Sequence, residues 1–270
     1  AEYLEEANRK INVQKSKLEH THKQISDSIR YASRIQRALL PSSDFIKEEF
    51  PQHFIFWQPR DVVSGDFYWA RKVGGQTLIA AADCTGHGVP GAFVSMLGIA
   101  FLNEIVRKGT IQQASDVLND LRDEIKRSLH QQDPKKDVND GMDIAFIAID
   151  DQHDSLQFAG AHNPLLRIRQ DAPSGPELTE FKADRMPVSA YIKEKPFRNK
   201  TVELQPGDRL YLFSDGFADQ MGGENGKKFY KKQLKKLILS LQHLDMASQE
   251  QAIRQKFKDW KGTYDQVDDV

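Results

Sequence analysis

The stretch LIAAADCTGHGVPGAFVSMLG, residues 78–98, decides how the rest of the chain is read. Gly86, Gly88 and Gly91 spell G-x-G-x-x-G between an apolar run and an expected helix, the setting of a dinucleotide-binding loop. That reading demands a parallel strand after the helix, with an acidic residue at its end for the ribose. Instead, the segment after Gly109 reads as a second helix, with Val117, Leu118, Leu121, Ile125 and Leu129 on one face. Glu104, the acidic residue at about the right distance, falls inside the first helix. Asp83 would also bring a negative charge close to a pyrophosphate. A P-loop fails as well, because GGENGKK lacks the full spacing and the Ser or Thr after Lys. What remains is a turn made sharp by glycines, with Pro90 suited to the first turn of the helix, that presents Asp83 at a strand end.

Working outward, short apolar runs at residues 53–57, 77–82, 143–149, 156–161, 165–169 and 209–213 read as strands. Another, aromatic strand follows Asp66. PGAFVSMLGIAFLNEIVRKG is apolar on most faces and reads as a buried helix ending near Gly109; ASDVLNDLRDEIKRSLHQ packs by one side. FYKKQLKKLILSLQHL and QEQAIRQKFKDW read as two more helices, and DAPSGPE as a solvent loop. Strands, two consecutive helices, more strands and then helices make an α+β fold and not alternating βαβ units. No internal repeat is evident.

Residues 1 to about 40 differ in character. They hold no Gly or Pro and read as one helix, with Leu4, Ile11, Leu18, Ile25 and Ala32 at seven-residue spacing. The companion positions Ala7, Gln14, Thr21, Ser28 and Ile35 are mostly polar, which implies a weak, switchable dimer helix. The alternative is a helix docked by a narrow stripe on its own domain. Pro41 ends it. The expected organisation is a helical linker or dimerisation segment over 1–40 and a single domain over 41–270.

The chain has 270 residues, 39% hydrophobic and 29% charged, with formal net charge −1. No global basic field argues for nucleic acid. A lone cysteine, Cys84, excludes an internal disulfide and suits a reducing compartment, hence a cytoplasmic location. No apolar run is expected to span a bilayer. The chain opens on Ala1, so a longer protein with a membrane segment upstream is expected.

Asp83 has company. Asp66 follows a small-residue turn in VVSGDFYWA, Asp215 ends an apolar strand in LYLFSDGFAD, and the chain closes with DQVDDV, holding Asp268 and Asp269. Singly, each reads as a turn aspartate. Together they point to convergence. Clustered carboxylates repel, and burial raises their pKa values, unless a cation intervenes. An all-oxygen set with no Cys or His cluster suits Mg²⁺ or Mn²⁺ over zinc. Carboxylates around two such ions would make water nucleophilic at neutral pH and neutralise a phosphate ester, so the chemistry implied is in-line phosphate hydrolysis.

SGDFYW, ADCTGHGVPGA, GMDIAFIAID, AGAHNPLL, LFSDGFAD and the closing acidic pair stand in this order. Over roughly residues 45–270 the chain resembles the metal-dependent protein phosphatase family, the protein phosphatase 2C fold. The branch is that of the sporulation stage II and stress-response σ-factor phosphatases. The resemblance implies an α/β/β/α sandwich of two antiparallel sheets flanked by helices. It implies a phosphoserine/phosphothreonine phosphatase using two Mn²⁺ or Mg²⁺ ions, with water attacking directly. Asp66 and Asp83 match the catalytic aspartates of the dinuclear centre, Asp83 as the bridging ligand. Cys84 takes the position whose carbonyl reaches a metal, where the wider family has Gly. Asp215 matches a further ligand, and Asp268 the first of the closing pair, with Asp269 the competing assignment. The implied partner is a phosphorylated anti-anti-σ-factor domain, and the N-terminal helix resembles the linker to an upstream sensor. In the family a final strand follows the acidic pair; here Val270 alone follows it.

Other residues carry open readings. His87 is a turn histidine, or a substrate contact or general acid. His162 and Asn163 shape a hairpin turn, or take a catalytic role. Arg60 is a surface arginine or a phosphate ligand. Asp143 is a strand residue beside the site or a ligand of an additional, weaker ion, outside the central pair.

Overall fold

The structure is a computed structural model and describes residues 2–107, 109, 111–131, 140–152, 154–173 and 175–270. The chain runs α1 (Glu2–Leu39), α2 (Ser43–Glu49), β1 (Phe67–Val73), β2 (Gln76–Cys84), α3 (Gly88–Arg107) and α4 (Ala114–Ser128). Then come β3 (Met142–Asp150), β4 (Ser155–Ala161), β5 (Leu165–Arg169), β6 (Glu177–Phe181), β7 (Lys200–Glu203) and β8 (Arg209–Leu212). The end holds α5 (Gly216–Asp219), β9 (Met221–Gly222), β10 (Lys227–Lys228), α6 (Lys231–Ser240) and α7 (Met246–Lys261).

A five-stranded sheet in the order β1-β2-β3-β4-β7 faces a three-stranded sheet, β6-β5-β8, and every ladder is antiparallel. The side-chain period of two explains the layering. On β3, Ile144, Phe146 and Ala148 join the core beneath α3 and α4, whereas Ala145, Ile147 and Ile149 join the core between the sheets. On β5, Leu165 faces that inter-sheet core, while Leu166 and Ile168 face Phe229, Leu234, Ile253 and Phe257 beneath α6 and α7. The expected α/β/β/α sandwich is therefore the observed one.

Several expectations need correction. Residues 53–57 form no strand: Phe54 and Phe56 pack against the α6–α7 core, and pairing is confined to Gln58 with Val270. In that pair the Gln58 N–H donates to the Val270 carbonyl at 2.7 Å and the Val270 N–H returns the bond at 3.1 Å, too little to make a ladder. An apolar cleft of about 390 Å³ lies beside this segment, walled by Phe54, Phe56, Trp69 and Tyr211. β6 and β7 were not foreseen, since Glu177–Phe181 is half-exposed and Lys200–Glu203 is short. By length and composition α3 is apolar enough to cross a membrane, contrary to the expectation that no run would be; half of it is buried inside this fold.

α1 is one helix, as its lack of Gly and Pro dictates. Leu4, Ile11, Leu18 and Ile25 are all exposed, Leu18 by 70%, so the seven-residue stripe does not dock on the chain's own domain. The helix's last turns touch the domain, among others through the buried Gln36.

A rim of aspartates at the strand ends

β2 carries Asp83 next to last, where the strand leaves the sheet for the glycine turn. Asp66 lies one residue before β1, Asp215 caps the short helix α5 after β8, and Asp268 lies in the closing segment. The four come from four separate parts of the chain and share one electrostatic neighbourhood. Burial lifts the Asp83 carboxyl to about 10, helped by the charges of Asp66, Asp215 and Asp268. Burial likewise lifts Asp66 to about 8, opposed by a hydrogen bond from Ser214 and reinforced by Asp269 and Asp268. Asp268 is raised too, by burial first and then by Asp215 and Asp269. Asp66 Oδ2 is buried with no hydrogen-bond partner among the described residues. Among the described residues no three His, Cys, Asp or Glu side chains close into a ready ligand group, so the rim is loose, not a finished cage.

The closing pair divides its labour. Asp269 is 1% exposed, and its carboxylate accepts from the Gly65 N–H and the Arg60 N–H, each at 2.7 Å. It clamps the segment ahead of Asp66 to the chain's end. Asp268 is half-buried, accepts at Oδ1 from the Asp269 N–H at 2.9 Å, and feels the charge of Asp215. The glycines serve this close packing. A methyl on Gly65 would stand 2.5 Å from the Gly86 carbonyl and 3.2 Å from that of Cys84. One on Gly216 would overlap the Asp269 carbonyl. The Cys84 thiol itself points into the core under α3 and is pushed well up by burial, so only its main chain reaches the rim side.

Sequence reasoning missed the buried amide of Gln36, 1% exposed, which joins α1 to the site. It donates to the Ser64 carbonyl and to Ser95 Oγ at 2.8 Å, and accepts from the Ser64 N–H at 3.1 Å. Ser64 Oγ in turn accepts from the Asp66 N–H at 3.0 Å. A second link runs beside it: the Arg37 guanidinium lies 5.8 Å from the Trp57 ring, and Trp57 donates to the Asp66 carbonyl at 3.0 Å. A polar residue among apolar positions late in a surface helix was the available signal.

The open readings now have places. Arg60 donates to the Val267 carbonyl at 3.0 Å, a tie to the closing segment. His87 lies 3.0 Å from Asp61 through Nδ1, with both side chains about half exposed. Asp143 stands directly opposite Asp83 in the β2–β3 ladder and lies 2.8 Å from His162 Nδ1.

Two antiparallel sheets between helix layers, with an aspartate rim at the strand ends, define a PP2C-type phosphatase domain. Residues 73–270 match the Stage II sporulation protein E (SpoIIE) family, and the chain belongs to that family. Asp66 lies just ahead of the matched span. The SiaA PP2C domain of Pseudomonas aeruginosa is 32% identical, with 92% of this chain and 95% of that one covered and a TM-score of 0.81. The PP2C domain of SpoIIE from Bacillus subtilis, with a fragment of its regulatory domain, is 18% identical over 79% of this chain and 58% of that one, TM-score 0.60. The RsbU and RsbW domains of Rv1364c from Mycobacterium tuberculosis are 17% identical over 78% and 54%, TM-score 0.57. At such identities the last two share the fold alone. No curated protein sequence matches this chain.

Proposed function

We propose that this chain is a Mn²⁺- or Mg²⁺-dependent phosphoserine/phosphothreonine phosphatase that acts on a phosphorylated anti-anti-σ-factor-type regulator as the output domain of a longer sensor. One observation carries the reading: four aspartates from separate parts of the chain meet at one rim, and a buried oxygen of Asp66 has no partner among the described residues. The donor set fits hard divalent ions. It is all oxygen, and carboxyls that burial and mutual repulsion hold protonated up to about 8 and about 10 gain most from a cation between them.

Asp66, Asp83, Asp215 and Asp268, with the Cys84 carbonyl, would hold two such ions, Asp83 between the flanking carboxylates. When bound, the ions supply Lewis-acid activation of water and neutralise the phosphate's charge. The chain's own residues do the rest. Asp269 and Gln36 fix the Gly65–Asp66 backbone from two sides, so the Asp66 carboxylate is placed before substrate arrives. Water attacks phosphorus directly, and no residue of the rim is a phosphate acceptor. The exposed seven-residue stripe of α1 supports self-association through that helix, with Gln36 as the link by which pairing reaches the rim.

The test is incubation with a phosphorylated anti-anti-σ-factor domain from the same genome plus Mn²⁺. Loss of its phosphate is expected. Hydrolysis of p-nitrophenyl phosphate with no action on any such domain would retain the chemistry and remove the proposed substrate.

A further inference from the structure

The turn between β4 and β5 is built around one residue. His162 has φ 54°, a left-handed conformation unusual for a residue other than Gly, Asn or Asp. It is held there from several directions. The His162 N–H donates to the Asp184 carbonyl at 2.9 Å, the Asn163 N–H to the Ala161 carbonyl at 2.6 Å, and Asn163 Nδ2 to the Asp143 carbonyl at 3.2 Å. The result places the imidazole against Asp143, Nδ1 to Oδ1 at 2.8 Å. A turn that only needed to reverse the chain would take Asn or Gly at this position.

Asp143 is a rigid anchor for that ring. It sits within the β3 ladder directly across from Asp83, and directly opposed residues share a face of the sheet. The groups around it are Asp215 and Lys231, each close enough to act on its charge. His162 is 38% exposed, so its ring is open to solvent and to a substrate. With Asp143 accepting at Nδ1, that nitrogen is the donor, which leaves Nε2 as the ring nitrogen free to serve a substrate. The other histidine of the rim, His87, pairs with Asp61 in a loop between two left-handed glycines, Gly86 and Gly88, and both partners are about half exposed. A donor whose carboxylate partner is fixed at a ladder position is held more closely than one whose partner lies in such a loop.

We propose that His162, oriented by Asp143, is the proton donor to the departing serine or threonine oxygen; this rests on the phosphatase reading above. As the phosphorus–oxygen bond breaks, its electron pair stays on the alcohol oxygen. The Nε2 proton passes to that oxygen, and the Nδ1 proton stays on the ring, hydrogen-bonded to Asp143. The proton shed by the attacking water restores the imidazolium. The net reaction is phosphomonoester plus water to alcohol plus phosphate, with no other co-reactant.

The experiment uses leaving groups that need protonation to different degrees. Turnover of a phosphoserine peptide, phenyl phosphate and p-nitrophenyl phosphate is measured with Mn²⁺ for the parent chain, His162→Asn and His87→Asn. Asn tolerates the left-handed conformation, so the turn is kept. For His162→Asn the expected loss is on the order of 10²-fold with the phosphoserine peptide, smaller with phenyl phosphate and smallest with p-nitrophenyl phosphate. Asp143→Asn, which leaves the turn residue itself in place, shows the same gradient. Equal losses for all three substrates would make His162 a merely structural residue and overturn the proposal. So would a gradient seen with His87→Asn and not with His162→Asn. A parent chain inert toward all three would take down the phosphatase reading and this inference with it.

Discussion

Gln36, near the end of the long N-terminal helix, and Ser64, two residues before Asp66, are bonded to each other in both directions through side-chain amide and main chain. The helix therefore grips the backbone that sets Asp66. Gln36→Ala leaves the buried Ser64 N–H unpaired and its carbonyl with only the longer bond from Ser95 Oγ, at a cost of about 1–3 kcal/mol. The expected outcome is a lower melting temperature and a higher Mn²⁺ concentration for half-maximal turnover. A change in the first without the second would make Gln36 a stability residue only.

The closing acidic pair should separate stability from activity. Asp269 receives two main-chain N–H groups in a buried place, so Asp269→Ala is expected to destabilise by roughly 2–5 kcal/mol. Asp268→Asn, half-buried at the rim, should shift the melting temperature little and cut turnover of p-nitrophenyl phosphate by about 10²-fold or more. Thermal melts and turnover on the same preparations check both.

pH acts through the same rim. Without a cation, Asp66 and Asp83 are raised to about 8 and about 10, whereas the unfolded chain ionises them near 4. Across that interval the folded state holds protons that the unfolded state has lost. The stability these two groups contribute is thus full below about pH 4 and falls as pH rises toward 8 and 10. A cation replaces those protons, so the rise in melting temperature on adding Mn²⁺ should be larger at pH 8 than at pH 5.5. An equal rise at both pH values would contradict the assignment of these carboxylates as ligands.

Self-association is expected from the stripe of α1. Leu18 and Ile25 are exposed by 70% and 55%. Leu18→Asp combined with Ile25→Asp should convert a dimer to a monomer by light scattering and change turnover. If both oligomeric state and activity stay as they were, the regulatory role of the helix is lost.

Much of this was legible in the chain itself, and for a physical reason. The β3 run Met142–Asp150 is apolar at both parities because both of its faces are buried, and that marks an inner strand. Asp83 could be set apart from a dinucleotide loop because a second helix followed the first. What resisted reading depends on partners far away in the chain. Residues 53–57 are an apolar run that reads as a strand, yet the backbone pairs just beyond it, at Gln58 with Val270. Asp268 and Asp269 are adjacent and chemically identical, and only the positions of Gly65 and Arg60 tell them apart. Gln36 is one glutamine in a polar helix until Ser64 and Ser95 meet it.

The central claim is that the aspartate rim works through divalent cations. Its most direct test is hydrolysis of p-nitrophenyl phosphate by the parent chain and by Asp83→Asn, titrated with Mn²⁺ after chelation. The account predicts turnover that is absent after chelation, returns with Mn²⁺ in the parent chain, and falls by at least about 10²-fold in Asp83→Asn while the fold persists. Turnover that survives chelation, or full activity in Asp83→Asn, would contradict it.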